Sequence, residues 1–425
     1  MPRLFGGRLG PLAEREFRLL FTGEVVSLAG SALAPVALAF AIFDLTGSAS
    51  DLGLVLAAAW LPQVAFVLLG GVLADRLPRS LILVGSNVTS GAAQAVVAVL
   101  VLTGNAELWH LLVTQVVRGS ATAFFFPAIQ SVVPDTVPQT QLQQANAVIR
   151  LSFSVTTILG AAVGGALVAA AGPGWAFAFD AATYFASAAI LAGMRRGGTA
   201  AVGERNLFRE LAEGWSEFRS RTWVWVFVAG ASVVNLVWTG ASGVLAPLVA
   251  RESLGGPEAF GALIAGESVG LLIGGLIALR WRPQRPLLVA GLTGLGLPVF
   301  LAALAWPAPV PLAVLAAVPA GMGLELGNVL WLTALQQHIP RDRLARVTSY
   351  DALGSFVLIP IGFAAAGPAA EATSASTALW GATAVSLAMT LAVLASADVR
   401  NLRRRVGQAD AEAGEGTEPR SITVS

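Results

Sequence analysis

Residues 70 to 79 read Gly70-Gly71-Val72-Leu73-Ala74-Asp75-Arg76-Leu77-Pro78-Arg79, and about 204 residues later the chain repeats the pattern as Gly274-Gly275-Leu276-Ile277-Ala278-Leu279-Arg280. In both stretches two glycines lie in an apolar run that ends abruptly on charge. An apolar run of about 20 residues is what crosses roughly 30 Å of hydrocarbon. The same offset lays Val137-Pro138 with Leu142 over Ile339-Pro340 with Leu344. The chain therefore reads as two copies of one membrane-spanning half, in parallel duplication, with a path for substrate between them.

Outward from these two stretches, apolar runs and their breaks place spans near 17–43, 52–73, 80–103, 108–131, 146–171, 174–194, 223–249, 259–279, 287–305, 308–334, 346–367 and 375–396. The fold class that follows is an all-α membrane protein of twelve transmembrane helices in two six-helix pseudo-symmetric halves. The expected units are an N-terminal half over 1–194, a linker over 195–222, a C-terminal half over 223–397 and a disordered tail over 398–425. Composition agrees, because 56% of the 425 residues are hydrophobic and only 12% are charged, about half the charged share of a soluble protein. The first apolar stretch is too long for a signal peptide and contains Glu24, so it reads as a retained span.

All 26 positive residues are Arg, and the net charge is +1, so no basic field points to nucleic acid. Their placement is lopsided. With both termini on the cytoplasmic side, all but three of the 26 fall in cytoplasmic segments; Arg251 alone lies opposite, and Arg118 and Arg150 fall in or beside spans. Positive loops stay cytoplasmic, which fixes the expected orientation. The linker carries Leu207, Phe208, Leu211, Trp215 and Phe218 at helical spacing among charges. It reads as an amphipathic helix at the cytoplasmic interface.

The loop after the second span has a physical reading of its own. Gly71 and its neighbour let helices approach closely. Asp75, at a helix end, is placed to accept hydrogen bonds from a neighbouring helix N-terminus, while Arg76 and Arg79 hold the loop among anionic headgroups. Made and broken, this is a conformational latch; read more plainly, it is a set of interfacial anchors. The stretch Gly71 to Arg79 resembles the loop motif of the major facilitator superfamily, Gly-x-Leu-Ala-Asp-Arg-x-Gly-Arg, with Pro78 where Gly is usual. Arg118-Gly119 looks like that superfamily's second motif, and Phe126-Pro127-Ala128, Val133 to Pro138 and Gln144-Ala145-Asn146-Ala147 extend the likeness to the branch of enterobactin and macrolide exporters. The resemblance implies lipid-facing third, ninth and twelfth spans, and these carry no interior charge. It also implies a bacterial plasma membrane.

Ionisable groups inside a bilayer cost about 2.5–3.5 kcal/mol even on lenient scales, so each is a candidate for function. Glu24, Glu267, Glu325 and Asp351 are the deep acids and Arg118 the deep cation; Arg150 and Asp180 are expected nearer span ends. Burial favours the neutral form of a carboxylic acid and an approaching Arg the ionised form, which is what proton coupling needs. For any one acid a static ion pair or a wet cavity wall is the plainer reading. The branch often carries an acid after the Gly of the first span; Ser31 stands there in this chain. Trp60, Gln63, Asn235, Trp238, Asn328 and Trp331 supply the aromatic and amide groups expected of a cavity for amphipathic substrates, whereas Trp109, Trp175, Trp281 and Trp306 read as interfacial belts.

Cysteine is absent and there are two histidines, His110 and His338. Neither a metalloprotease helix, a nucleophile elbow, a Walker loop nor a dinucleotide fingerprint occurs, so neither an enzyme nor a self-contained ATP-driven pump is expected, and no cofactor or metal site is implied. The function expected is secondary transport: proton-coupled efflux of a small amphipathic molecule by a monomer, with proton-coupled uptake as the alternative. A receptor would have no sizeable soluble domain to signal with.

Overall fold

A backbone that crosses hydrocarbon must pair its own polar groups, so apolar runs of this length have helices as their outlet. The computed structural model describes residues 10–74, 78–195, 215–216, 218–306 and 308–404, and among them all regular structure is helical. The crossings are α1 (Arg15–Thr46), α2 (Ala49–Ala74), α3 (Arg79–Leu102), α4 (Leu108–Thr136), α5 (Leu142–Ala171), α6 (Pro173–Ala192), α7 (Thr222–Leu254), α8 (Pro257–Arg280), α9 (Pro286–Ala305), α10 (Val310–His338), α11 in two pieces (Arg341–Phe356 and Ile359–Ala372) and α12 (Ala375–Ala395). Among the described residues eleven candidate spans are long and apolar enough to cross a membrane; in α2 the described apolar stretch is the shorter Ala49–Ala65. Each expected span coincides with one crossing.

Proline sets several starts, since a residue without an N–H is tolerated in a first turn: Pro173, Pro257 and Pro286 each open a helix. Elsewhere it bends crossings. α1 breaks at Ala32–Leu33, just before Pro35, and α11 breaks at Val357–Leu358, just before Pro360. Pro360 has no N–H for the carbonyl one turn back. α7 steadies that break, with the Ser232 hydroxyl donating to the Gly354 carbonyl and the Asn235 amide to the Ser355 carbonyl at 3.0 Å.

The neighbour relations repeat from one half to the other. α2 packs on α4, α3 on α4 and α6, and α1 on α5 and α6; six crossings later, α8 packs on α10, α9 on α10 and α12, and α7 on α11 and α12. Between halves, α2 lies against α11 and α5 against α8, a pair of contacts that the same exchange maps onto each other. This is the duplication read from the glycine pairs, now as packing.

One expectation changes. The tail does not lose structure at Asp398, because α13 (Ala397–Asn401) follows α12 and its Val399 is fully buried. At the end of the linker, Phe218 is buried with its ring 5.9 Å from that of Tyr350 on α11; residues 196–214 and Glu217, which carry the rest of the amphipathic reading, lie outside the described residues.

Candidate functional site

Inside the N-terminal half a polar cluster occupies the space among α1, α3, α4 and α6. Asp180, eighth residue of α6, has no exposed surface. Its carboxylate accepts from the amide of Gln94 on α3 and from the hydroxyl of Ser31 on α1, at 3.4 Å for Ser31. Ser31 also shares a hydrogen bond with the Tyr184 hydroxyl one turn along α6, at 3.0 Å. From α4, Arg118 donates to Gln115 Oε1 at 3.2 Å, reaches the Tyr184 hydroxyl and acts electrostatically on Asp180. The cluster is not saturated: Gln94 Oε1, Gln115 Nε2 and Arg118 Nε are buried without hydrogen-bond partners.

Asp180 was expected near the end of its span, beside rather than among the deep charges. The structure corrects this and makes it the acid that answers Arg118. Glu24, two turns before Ser31 on α1, is half-buried and has no hydrogen bond or ion pair to its side chain among the described residues.

In the C-terminal half the candidates divide. Glu267 on α8 and Glu325 on α10 border one helix pair. A Cβ on Gly321 of α10 would meet the Glu267 carbonyl, and one on Gly274 of α8 would lie 3.2 Å from the Glu325 Cβ. The glycine pair at 274–275 is thus what lets α10 and its acid lie against α8. Asp351 accepts from the Trp331 indole at 3.0 Å and from Ser355 at 3.4 Å. Trp331 in turn stacks on Phe227 with ring centroids 4.4 Å apart and is 5% exposed.

The cavity expectation is corrected at Trp331 and at Trp238, whose ring is buried 5.8 Å from Phe300. Large indoles fill gaps between helices as readily as they line cavities, and sequence alone did not separate the two. Asn235 is committed to the α11 break. Trp60 keeps a place between the halves, its ring 6.4 Å from the exposed Phe356 across the α2–α11 contact. Gln63 is half-buried and bonds its own helix at Ala59, and Asn328 is exposed on α10. Of the latch, Asp75 and Arg76 lie outside the described residues, and Gly71 and Arg79 are known only as helix residues of α2 and α3.

A second arrangement, unforeseen in the sequence, ties the halves together at the face away from the Arg-rich ends. Glu371, at the end of α11, accepts from the Ser48 hydroxyl at 2.9 Å and from the Ser50 hydroxyl and backbone N–H at 2.7 and 3.1 Å, which caps the start of α2. Arg251 of α7 donates to the Phe43 carbonyl of α1 at 2.9 Å and sits over the Phe43 ring at 5.2 Å. Beside these bonds the backbones nearly touch, since a Cβ on Gly165 of α5 would lie 2.7 Å from the Pro257 carbonyl of α8. The two halves are closed together on this face.

The profile of the Major Facilitator Superfamily matches residues 20–363. Macrolide efflux protein A of Streptococcus pyogenes is 24% identical over 354 residues, covering 82% of this chain and 87% of that one. The multidrug efflux pump Tap of Mycolicibacterium fortuitum is 26% identical over 378 residues, covering 85% and 90%. The enterobactin exporter EntS of Salmonella typhimurium is 25% identical over 361 residues, covering 81% and 85%. In fold, the nucleoside transporter NupG superposes with a TM-score of 0.71 at 11% identity, over 89% of this chain and 98% of that one. Twelve crossings in two matching halves, full-length efflux relatives and the profile lead to one statement: the chain is a multi-pass membrane transporter of small molecules and belongs to the Major Facilitator Superfamily.

Proposed function

We propose that the protein exports a small amphipathic molecule (a drug, siderophore or secondary metabolite) in exchange for protons, by alternating access, from the bacterial plasma membrane with both termini and the central linker cytoplasmic. The observation that carries this reading is the set of ionisable groups inside the bundle, Arg118 with Glu24, Glu267, Glu325 and Asp351, in a chain whose full-length relatives bear the names of efflux proteins. An acid held where ionisation is costly binds or releases a proton when helix movement changes what faces it.

In this reading the Glu371 and Arg251 clasps hold the outer face shut, and Gly71, Asp75, Arg76 and Arg79 form the corresponding latch at the cytoplasmic face. Trp60, Gln63 and Asn328 are the cavity candidates that keep surface for substrate. Accumulation of erythromycin and of ethidium in cells with and without the protein, before and after a protonophore, tests the proposal. Lower accumulation that the protonophore restores is expected. Higher accumulation with the protein would support the uptake alternative, and no protonophore effect would remove the proton.

A further inference from the structure

We infer that the coupling proton of the N-terminal half binds at the Asp180 carboxylate, inside the chamber closed by Ser31, Gln94, Arg118 and Tyr184, rather than at Glu24; this rests on the proton-coupled reading above. Asp180 is wholly enclosed, yet no ion pair within 4.0 Å joins it to Arg118. A buried acid and a buried cation that share a chamber without bonding leave charge only partly compensated. The compensation therefore depends on how the four helices sit.

The groups facing Asp180 are few. From α4 it is Arg118, bonded in turn to Gln115, from α3 Gln94, from α6 Tyr184, and from α1 Ser31, with Glu24 two turns back along α1. Arg118 and Tyr184 are the titratable ones in the chamber. Gln94 is 0% and Gln115 2% exposed, and each leaves one polar atom without a hydrogen-bond partner, as does Arg118 at Nε. Unsatisfied donors and an acceptor in one buried place are the mark of a site for a small polar guest, for which water is the right size. Proton uptake then balances simply. A hydronium ion gives its proton to the Asp180 carboxylate, leaving a neutral acid and a water molecule.

α1 is the moving wall. A Cβ on Gly30 would lie 2.7 Å from Asp180 Cα and 2.8 Å from Oδ1, so the helices touch at the acid itself. Two residues later α1 breaks, and its outer piece, Ala34–Thr46, carries Phe43 in its last turn, where Arg251 of the other half is bonded. Opening the outer face releases Phe43 and moves α1 at the wall of the chamber. Glu24 is half-buried and has no polar partner among the described residues to make it sensitive to that movement.

A substrate-independent experiment tests the assignment, and the Cys-free chain permits it. Spin labels on cysteines replacing Leu45 and Ser253 report the separation of the two halves at the outer face in nanodiscs between pH 5 and 9. The wild type is expected to shift its distance distribution with pH, and Asp180→Asn, which keeps an acceptor for Gln94 and Ser31, to hold one distribution throughout. Should Asp180→Asn fail to fold, Gln94→Leu keeps the acid and is expected to move the pH midpoint by about one unit. A wild type that ignores pH contradicts proton coupling altogether. A titrating wild type with an equally titrating Asp180→Asn, an unmoved midpoint in Gln94→Leu, or loss of titration in Glu24→Gln with Asp180→Asn unaffected, overturns Asp180 alone.

Discussion

The Glu371 carboxylate and the N-terminus of α2 meet at Ser50, which offers it both a backbone N–H at 3.1 Å and a hydroxyl at 2.7 Å. The acid belongs to the C-terminal half and the donors to the N-terminal half, so this contact must part whenever the outer face opens. An ionised acceptor at a helix N-terminus also gains from the helix dipole. Replacing Glu371 by Ala is expected to weaken outer closure by about 1 kcal/mol after allowance for exposure, roughly a fivefold change in the closed-to-open ratio. The spin-label pair at Leu45 and Ser253 would read it as growth of the longer distance; an unchanged distribution would reduce the clasp to decoration.

Asp75 follows in sequence the last residue of α2, Ala74. If the loop acts on the equilibrium between conformations, Asp75→Asn is expected to leave the protein folded and inserted but to slow turnover by severalfold. Single-turnover and steady-state efflux of erythromycin in proteoliposomes would separate the two effects, and wild-type turnover would argue that the loop serves only as an anchor.

Trp331 joins a hydrogen bond to Asp351 with a stack on Phe227. Trp331→Phe keeps the stack and removes the donor, leaving a half-buried carboxylate with only the 3.4 Å bond from Ser355. A loss of about 1–3 kcal/mol is expected, seen as a fall of a few degrees in Tm in detergent. Asp351→Asn, which still accepts from the indole, is expected to cost less. Equal losses would indicate that the charge and not the hydrogen bond matters there.

The Arg asymmetry predicts that a cysteine introduced at Ser216 in the linker is shielded from a membrane-impermeant thiol reagent in intact cells, and that one at Ser253 is labelled. Labelling in the reverse pattern would invert the topology.

The crossings were legible because each is bounded by Pro, Gly or charge. Where the reading slipped, as at α4, which was expected to end near 131 and runs to Thr136, the helix continued through Pro134. Tertiary neighbours were the harder part. Glu371 caps a helix more than 300 residues away in sequence, and no local pattern announces such a pairing. Asp180 lay in plain view with Tyr184 one turn on. What made it central were Ser31, Gln94 and Arg118, brought from three other crossings. Trp238 and Trp331 illustrate the reverse, since the residue type suited a cavity and packing buried the rings between helices. Trp109, Trp175, Trp281 and Trp306 are all exposed at or beside helix ends.

The central claim is that a proton gradient drives this transporter uphill. Proteoliposomes holding the purified protein, loaded with erythromycin at equal concentration inside and out, would be given an imposed pH gradient. Protein-dependent movement of erythromycin against its own emerging gradient, toward the side of higher proton concentration and abolished by a protonophore, is the predicted result. Erythromycin that equilibrates through the protein yet never accumulates, whatever the pH gradient, would contradict the account and leave facilitated diffusion or another coupling ion in its place.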